Sequence, residues 1–132
     1  MYEEIMEALV TIMQDMTDLP VRRGALPAGN AVCLEKGTND VVSTALDRST
    51  VERAVFVLNA KHSDMHAAQT ALDNIHQKIT RMKEYPATDK WQIATVTTVA
   101  GPSCIGREPG MQWLFGSSIR VLIYNKESES NG

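Results

Sequence analysis

Apolar residues recur at helical spacing in two stretches of the chain. From Tyr2 to Met16 they alternate with glutamate, threonine and glutamine, and Pro20 lies beyond the end of the stretch. From Met65 to Met82 they fall three or four positions apart, with Ser63 as the expected N-cap and Pro86 beyond the end. Such narrow apolar stripes predict two amphipathic helices, and the second should pack on a sheet or on the first helix.

The segments between and after these stretches have the alternation and β-branched content of strands. The segment from Thr50 to Ala60 is apolar on both of its faces, which predicts a central strand covered on each side. Turn chemistry at Lys36–Asp40 separates two of the other predicted strands. The remaining strands are expected around Val21, over Ala31 to Glu35, from Val41 to about Leu46, over Trp91 to Ala100 and over Met111 to Tyr124.

The order helix, strands, helix, two strands predicts an α+β fold. We expect an antiparallel or mixed sheet of about five or six strands with two helices packed on it. A doubly wound nucleotide-binding fold would alternate strand and helix throughout, so the order argues against it. The length of 132 residues fits a single domain over residues 1–125, followed by a flexible polar tail over residues 126–132.

Composition and charge exclude several classes of partner. The net charge is −3 and the pI about 5.6, so the surface as a whole is not expected to bind nucleic acid nonspecifically. The apolar runs are too short to span a membrane, and the N-terminus carries glutamates where a secretory signal would carry basic residues. Cys33 and Cys104 are expected to be reduced, partly buried thiols, with a single disulfide as the alternative.

Candidate catalytic and metal-binding groups do not form a recognisable site in the sequence. His62 and His66 lie four residues apart, but no third zinc ligand lies near them. His76 borders the apolar stripe and is interpreted as a boundary residue rather than a base. Cys104 lacks a cysteine-protease signature, and the glycine-rich nucleotide motifs and the serine-hydrolase motif are absent from the sequence. We therefore expect no catalytic residue, no metal site and no cofactor.

The segment Gly101–Gly110 is rich in glycine and proline and is predicted to be a loop too long for a tight hairpin turn. One interpretation is a tolerant surface connection. The other, which we favour, is an interaction loop, because Ile105 followed by Arg107 and Glu108 has the pattern of an apolar anchor with a charged rim.

This loop and the strand after it resemble the closing hairpin of small phage "minor capsid" proteins, the tail terminator or tail-completion proteins of siphophages and related prophages. The order of elements is also similar over nearly the whole chain. The pattern is Pro102-x-x-Ile105-Gly106-Arg107-Glu108-x-Gly110, then Trp113-x-x-Gly-Ser-Ser-x-x-Val121-x-Ile123-Tyr124. The protein-interface residues predicted from the loop and the resemblance are Pro102, Ile105, Gly106, Arg107, Glu108 and Trp113.

The resemblance implies a structural virion protein rather than an enzyme. Such proteins form a closed ring, usually of six copies, on the head-proximal end of the tail tube. The ring stops tube polymerisation and contacts the tail-tube protein and the head-completion protein, and DNA passes its lumen without sequence-specific binding. The expected location is the virion tail, with the host cytoplasm during assembly and no contact with membrane. Two alternatives stay open: a non-phage binding or regulatory module that uses the sheet edge and hairpin loop, and a small cysteine-dependent enzyme.

Overall fold

A computed structural model describes residues 1–25, 29–44, 49–107 and 112–126. In chain order the elements of the described residues are α1 (Tyr2–Gln14), β1 (Val21–Arg23), β2 (Ala31–Thr44), β3 (Thr50–His62), α2 (Met65–Ile79), β4 (Trp91–Arg107) and β5 (Trp113–Asn125). The five strands form one sheet in the order β1-β2-β3-β5-β4, in which only β1 and β2 run parallel. The predicted α+β class and element order are confirmed, and the sheet is mixed.

Helix α2 lies across β3, β4 and β5, whereas α1 lies on β1 and β2. Leu72, Ile75 and Ile79 on α2 are fully buried in the same core as Phe56 on β3. The prediction that the apolar stripe packs on the sheet containing Thr50–Ala60 is therefore confirmed. No helix of the described residues is long and apolar enough to cross a membrane.

The ends of α2 differ slightly from the prediction. The N-cap is Asp64 rather than Ser63, because the Asp64 side chain accepts a hydrogen bond of 3.0 Å from the backbone N–H of His66. The helix ends at Ile79 rather than at Met82. There the Tyr85 hydroxyl donates to the carbonyl oxygen of Ile79 at 2.6 Å and satisfies an acceptor that a further helical turn would have used.

The turn predicted at Lys36–Asp40 is wrong, because β2 runs through it as a single strand. The register between β2 and β3 instead shifts between Lys36 and Asn39, so the extra residues form an irregularity within the ladder. Gly37 lies in this irregularity, where a Cβ atom would come within 2.9 Å of the carbonyl oxygen of Val55. Glycine is needed at this position because the backbones of β2 and β3 approach closely, and not because the chain reverses there.

The predicted loop Gly101–Gly110 is also wrong over most of its length, because β4 continues to Arg107. Its pairing with β5 is interrupted by register shifts, including those between Ala100 and Ser103 and between Cys104 and Gly106. Pro102 is tolerated because β4 is an edge strand, where a missing N–H need not interrupt a ladder. Residues 108–111 lie outside the described residues, as do 45–48 and the predicted polar tail from residue 127 onward.

The central position predicted for Thr50–Ala60 is confirmed, but its predicted coverage on both faces is not. The side chains of β3 that face the helices, among them Ala54 and Phe56, are fully buried. Most of the alternate side chains are half-buried or exposed, with Lys61 as the buried exception, because both described helices lie on the other face. We call this uncovered side of the sheet the bare face, and its apolar members include Val51, Val55, Val57, Leu114 and Leu122.

Candidate subunit-contact surface

The predicted interface residues come together where β4 ends and β5 begins. Arg107 pairs with Trp113 and Gly106 pairs with Leu114 in the antiparallel ladder. We call this region, Pro102–Arg107 with Gln112–Leu114, the hairpin end. Pro102, Gly106 and Trp113 are half-buried, while Ile105 and Arg107 are exposed. Glu108 lies outside the described residues.

Ile105 lies across the bare face and remains 64% exposed. Its side chain occupies the space above Gly116, where a Cβ atom would come within 2.7 Å of the Ile105 Cδ1 atom and 3.2 Å of the Asn59 Oδ1 atom. Gly116 and Asn59 are cross-strand partners on β5 and β3. Any side chain at position 116 would therefore displace Ile105 from the sheet. The exposure predicted for Ile105 is confirmed, and its role in an interface stays a prediction.

The hairpin end is held in place by polar contacts to distant parts of the chain. The Gln112 side chain donates to the Asn30 Oδ1 atom at 2.8 Å, and the same oxygen accepts from the Ser63 N–H at 3.1 Å. The Arg107 guanidinium lies 5.1 Å from the ring centroid of Trp113, a cation–π contact. A segment held in this way loses little conformational entropy when it docks on a partner.

Charged groups lie among the apolar side chains of the bare face. Arg53 forms a two-pronged ion pair with Asp40, with distances of 3.1 Å and 2.7 Å to the two carboxylate oxygens. This hydrogen-bonded contact lowers the pKa of the Asp40 carboxyl group, and the nearby charge of Arg120 adds to the effect. The bare face therefore carries charged groups on its two central strands, with Arg53 opposite Leu122 and Arg120 opposite Val55 in the ladder.

His76 is buried between α2 and the sheet, with 6% of its surface exposed, so its interpretation as a boundary residue is wrong. Its Nδ1 atom lies 2.8 Å from the Thr98 hydroxyl and its Nε2 atom lies 2.8 Å from the Ser117 hydroxyl. Ser117 donates its own hydrogen to the Leu58 carbonyl oxygen at 3.0 Å. Nε2 must then donate to Ser117, and in the neutral ring Nδ1 accepts from the Thr98 hydroxyl, which satisfies both nitrogens. The spacing of four residues from Leu72 was the sequence signal for this buried position.

Burial lowers the pKa of the His76 imidazole, with a smaller opposing effect from the charge of Asp73. The unfolded chain takes up a proton near pH 6.5, whereas the folded chain resists protonation to a lower pH. The contribution of this pKa difference to the free energy of unfolding is therefore fully present above about pH 6.5. It is lost as the pH drops through the lower folded-state pKa. Each tenfold loss of proton affinity corresponds to about 1.4 kcal/mol.

We expect the free energy of unfolding to fall more steeply between pH 7 and pH 5 in the wild-type chain than in a His76→Gln variant. The measurement is chemical denaturation across this pH range, and His66→Gln is the control because His66 is exposed. Parallel pH profiles of the wild-type chain and His76→Gln would contradict the assignment of a neutral, buried imidazole.

A buried carboxylate forms a second polar cluster beneath the N-terminus of α1. Glu52 accepts hydrogen bonds from the Tyr2 hydroxyl at 2.8 Å, the Thr50 hydroxyl at 3.1 Å and the Asn125 amide at 2.9 Å. The pKa of the Tyr2 hydroxyl is raised, first by burial and then by its hydrogen bond to Glu52. The cluster joins α1, β3 and β5, so its role is structural.

The remaining candidate groups are two histidines, His62 and His66, and two cysteines, Cys33 and Cys104. His62 accepts a hydrogen bond of 2.8 Å from the Asp64 N–H at Nδ1, which occupies one of its two nitrogens. Cys33 is buried and Cys104 exposed, and both are free, so the alternative of a disulfide between them is wrong. Burial raises the pKa of the Cys33 thiol. The described residues contain no group of three or more histidine, cysteine or acidic side chains that could hold a metal ion.

Comparison with known proteins gives a structural likeness and no sequence match. No family model matches the chain, and no curated protein matches it either. The fold is similar to that of a solved chain from the virion of a native gene transfer agent particle, with a TM-score of 0.58 at 12% sequence identity. The alignment covers 89% of this chain and 86% of that chain. At this identity the likeness concerns the fold, which extends over nearly the whole of both chains.

Proposed function

We propose that this protein is a structural component of a phage or phage-like virion and acts as a tail terminator. Copies of the chain form a ring, with six copies expected from the family that the sequence resembles. The ring sits on the head-proximal end of the tail tube, stops its polymerisation and joins it to the head-completion protein. Assembly takes place in the host cytoplasm, and the protein performs no catalysis and needs no cofactor.

The observation that carries this proposal is the bare face of the sheet. Helices α1 and α2 cover only one side of β3, and the other side carries three valines together with Arg53, Asn59 and Lys61. Val51, Val55 and Val57 are left half-buried, with exposed Ile105 lying on the same face. Apolar surface of this kind marks a protein contact site in a chain of otherwise ordinary composition. A chain of similar fold is part of a gene transfer agent virion, which agrees with a role in particle assembly.

The charge of the chain suits a ring that surrounds DNA. A net charge of −3 gives little general attraction for phosphate, so DNA can pass without being held. The cysteine-enzyme alternative gains no support from the described hydrogen bonds, in which the Cys104 Sγ atom contacts the Gly106 carbonyl oxygen at 3.9 Å and no imidazole.

Solution mass measured by light scattering tests the proposed ring. We expect the 14.6 kDa chain, alone or after addition of the tail-tube protein encoded in the same genome, to form a complex containing about six copies. Because a head-to-tail contact that closes gives a single ring size, the mass should stay constant over a range of concentrations. A chain that remains monomeric under both conditions would contradict the proposal.

We expect the double change Ile105→Ser with Arg107→Ser to weaken ring formation while leaving the fold intact. Both side chains are exposed, and loss of the cation–π contact with Trp113 should cost less than about 1 kcal/mol. Thermal unfolding and light scattering measure the two effects separately. The matched control is Met65→Ser with Lys78→Ser, an exposed apolar and cationic pair on α2. A double variant that assembles as the control does would show that the hairpin end is only a connector.

A further inference from the structure

The sheet has two open edges in the described part of the chain. Strand β4 forms one edge, since β5 is its only partner strand in the described residues. Its outer side is covered only at the start, where Ala87 forms a β-bridge with Gln92, and it is open from Ala94 onward. At the other side β1 pairs only with Val32, Cys33 and Leu34 of β2, so the part of β2 from Glu35 to Thr44 has no described strand on its outer side. Open edges carry unpaired backbone N–H and C=O groups and are templates for pairing with another chain.

Exposed apolar side chains concentrate on these two edges. Six large hydrophobic residues are exposed in the described structure, and four of them lie on the open edges. On β2 these are Val41 at 56% and Val42 at 51% exposure, and on β4 they are Val99 at 46% and Ile105 at 64%. The sequence between Trp91 and Arg107 contains no charged residue, so β4 lacks the lysines that commonly block pairing at an edge.

The two edges have the polarity that a second copy of the same chain requires. Strands β2, β3, β5 and β4 alternate in direction across the sheet, so β2 and β4 run in opposite senses. Rotation about an axis along the strands keeps each strand direction, and it therefore brings β4 of one copy antiparallel to β2 of the next. Every copy offers one edge of each kind, so such a contact is head-to-tail and can close into a ring.

From these observations we propose that neighbouring copies join by antiparallel pairing of the two open edges, which makes one continuous sheet around the ring. The junction centres on Thr95–Thr98 of β4 and Asn39–Val42 of β2. Over Thr95–Thr98 the pairing of β4 with β5 has no register shift, so that segment presents a regular outer edge. The uncharged β4 can approach the charged groups of β2, such as Asp40, without like-charge repulsion. This inference rests on the proposed ring, and it specifies the contact that closes it.

Blocking each edge in turn tests the junction. One variant carries Val41→Lys and Val42→Lys, and the other carries Thr97→Lys and Val99→Lys. All four side chains are exposed, so circular dichroism should show an unchanged fold. The matched control adds the same charge on the solvent face of α2 through Gln69→Lys with Thr70→Lys.

We expect light scattering to show loss of the ring in each edge variant alone and a native ring in the control. An equimolar mixture of the two edge variants should stop at a complex of two chains, because each partner then contributes one intact edge. Rings formed by either edge variant, or a mixture that stays monomeric, would overturn the junction and leave the proposed function standing. A wild-type chain that forms no ring even with tail-tube protein would overturn both.

Discussion

Replacing Leu72 by alanine is expected to lower the free energy of unfolding by roughly 2–5 kcal/mol. The Leu72 side chain is fully buried in the core formed by α2 and the strands beneath it. Its removal loses the burial of apolar surface and leaves a cavity that a packed core can close only in part. Urea denaturation of the purified chain measures the change.

The control for this substitution is Gln69→Ala, on the exposed face of the same helix, where a change within about half a kcal/mol is expected. Loss of less than half a kcal/mol in the Leu72→Ala variant would contradict the burial of the stripe. It would indicate instead that the stripe takes part in contacts between subunits.

Replacing Glu52 by alanine is expected to cost about 1–3 kcal/mol for each buried donor left without its acceptor. Thr50 and Asn125 are both buried and donate to the Glu52 carboxylate, and Tyr2 brings the start of α1 to the same group. The loss should be seen as a lower urea midpoint together with faster amide exchange at the N-terminus of α1.

The conservative variant Glu52→Gln keeps the size of the side chain and one acceptor oxygen, so its loss should be clearly smaller. An alanine variant as stable as the glutamine variant would contradict the role of the carboxylate as a shared acceptor. Gel filtration or light scattering on both variants shows whether assembly is affected apart from stability.

Local periodicity was sufficient to predict most of the fold. The apolar spacing in Met65–Met82 and the two-sided pattern of Thr50–Ala60 identified a core helix and the central strand. The same pattern also held information that was missed. Glu52 alternates with Ala54 and Phe56 on the covered face of β3, so period two alone could have predicted a buried carboxylate.

The wrong turns have a common physical cause. Glycine and proline were interpreted as chain reversals at Lys36–Asp40 and at Gly101–Gly110, but those among the described residues, Gly37, Gly101, Pro102 and Gly106, lie in irregular parts of long strands. A bulge and a turn use similar residues, and what separates them is a partner strand that lies far away in sequence. The parallel pairing of β1 with β2 depends on such distant contacts as well.

The candidate surface was predictable only in outline. The apolar character and exposure of Ile105 followed from its neighbours in sequence. Its position above Gly116 did not, because that contact exists only once β4 and β5 have paired with shifted register. The hydrogen bond from Gln112 to Asn30 joins residues 82 positions apart, and no local pattern predicts it.

Tail-tube length measured by electron microscopy tests termination most directly. Tail-tube protein and the other tail components are assembled with and without the wild-type chain, and tube lengths are compared. We expect a narrow length distribution and a ring at the head-proximal end when the chain is present, and overlong tubes when it is absent. Tubes of the same length distribution in both samples would contradict the assignment as a tail terminator.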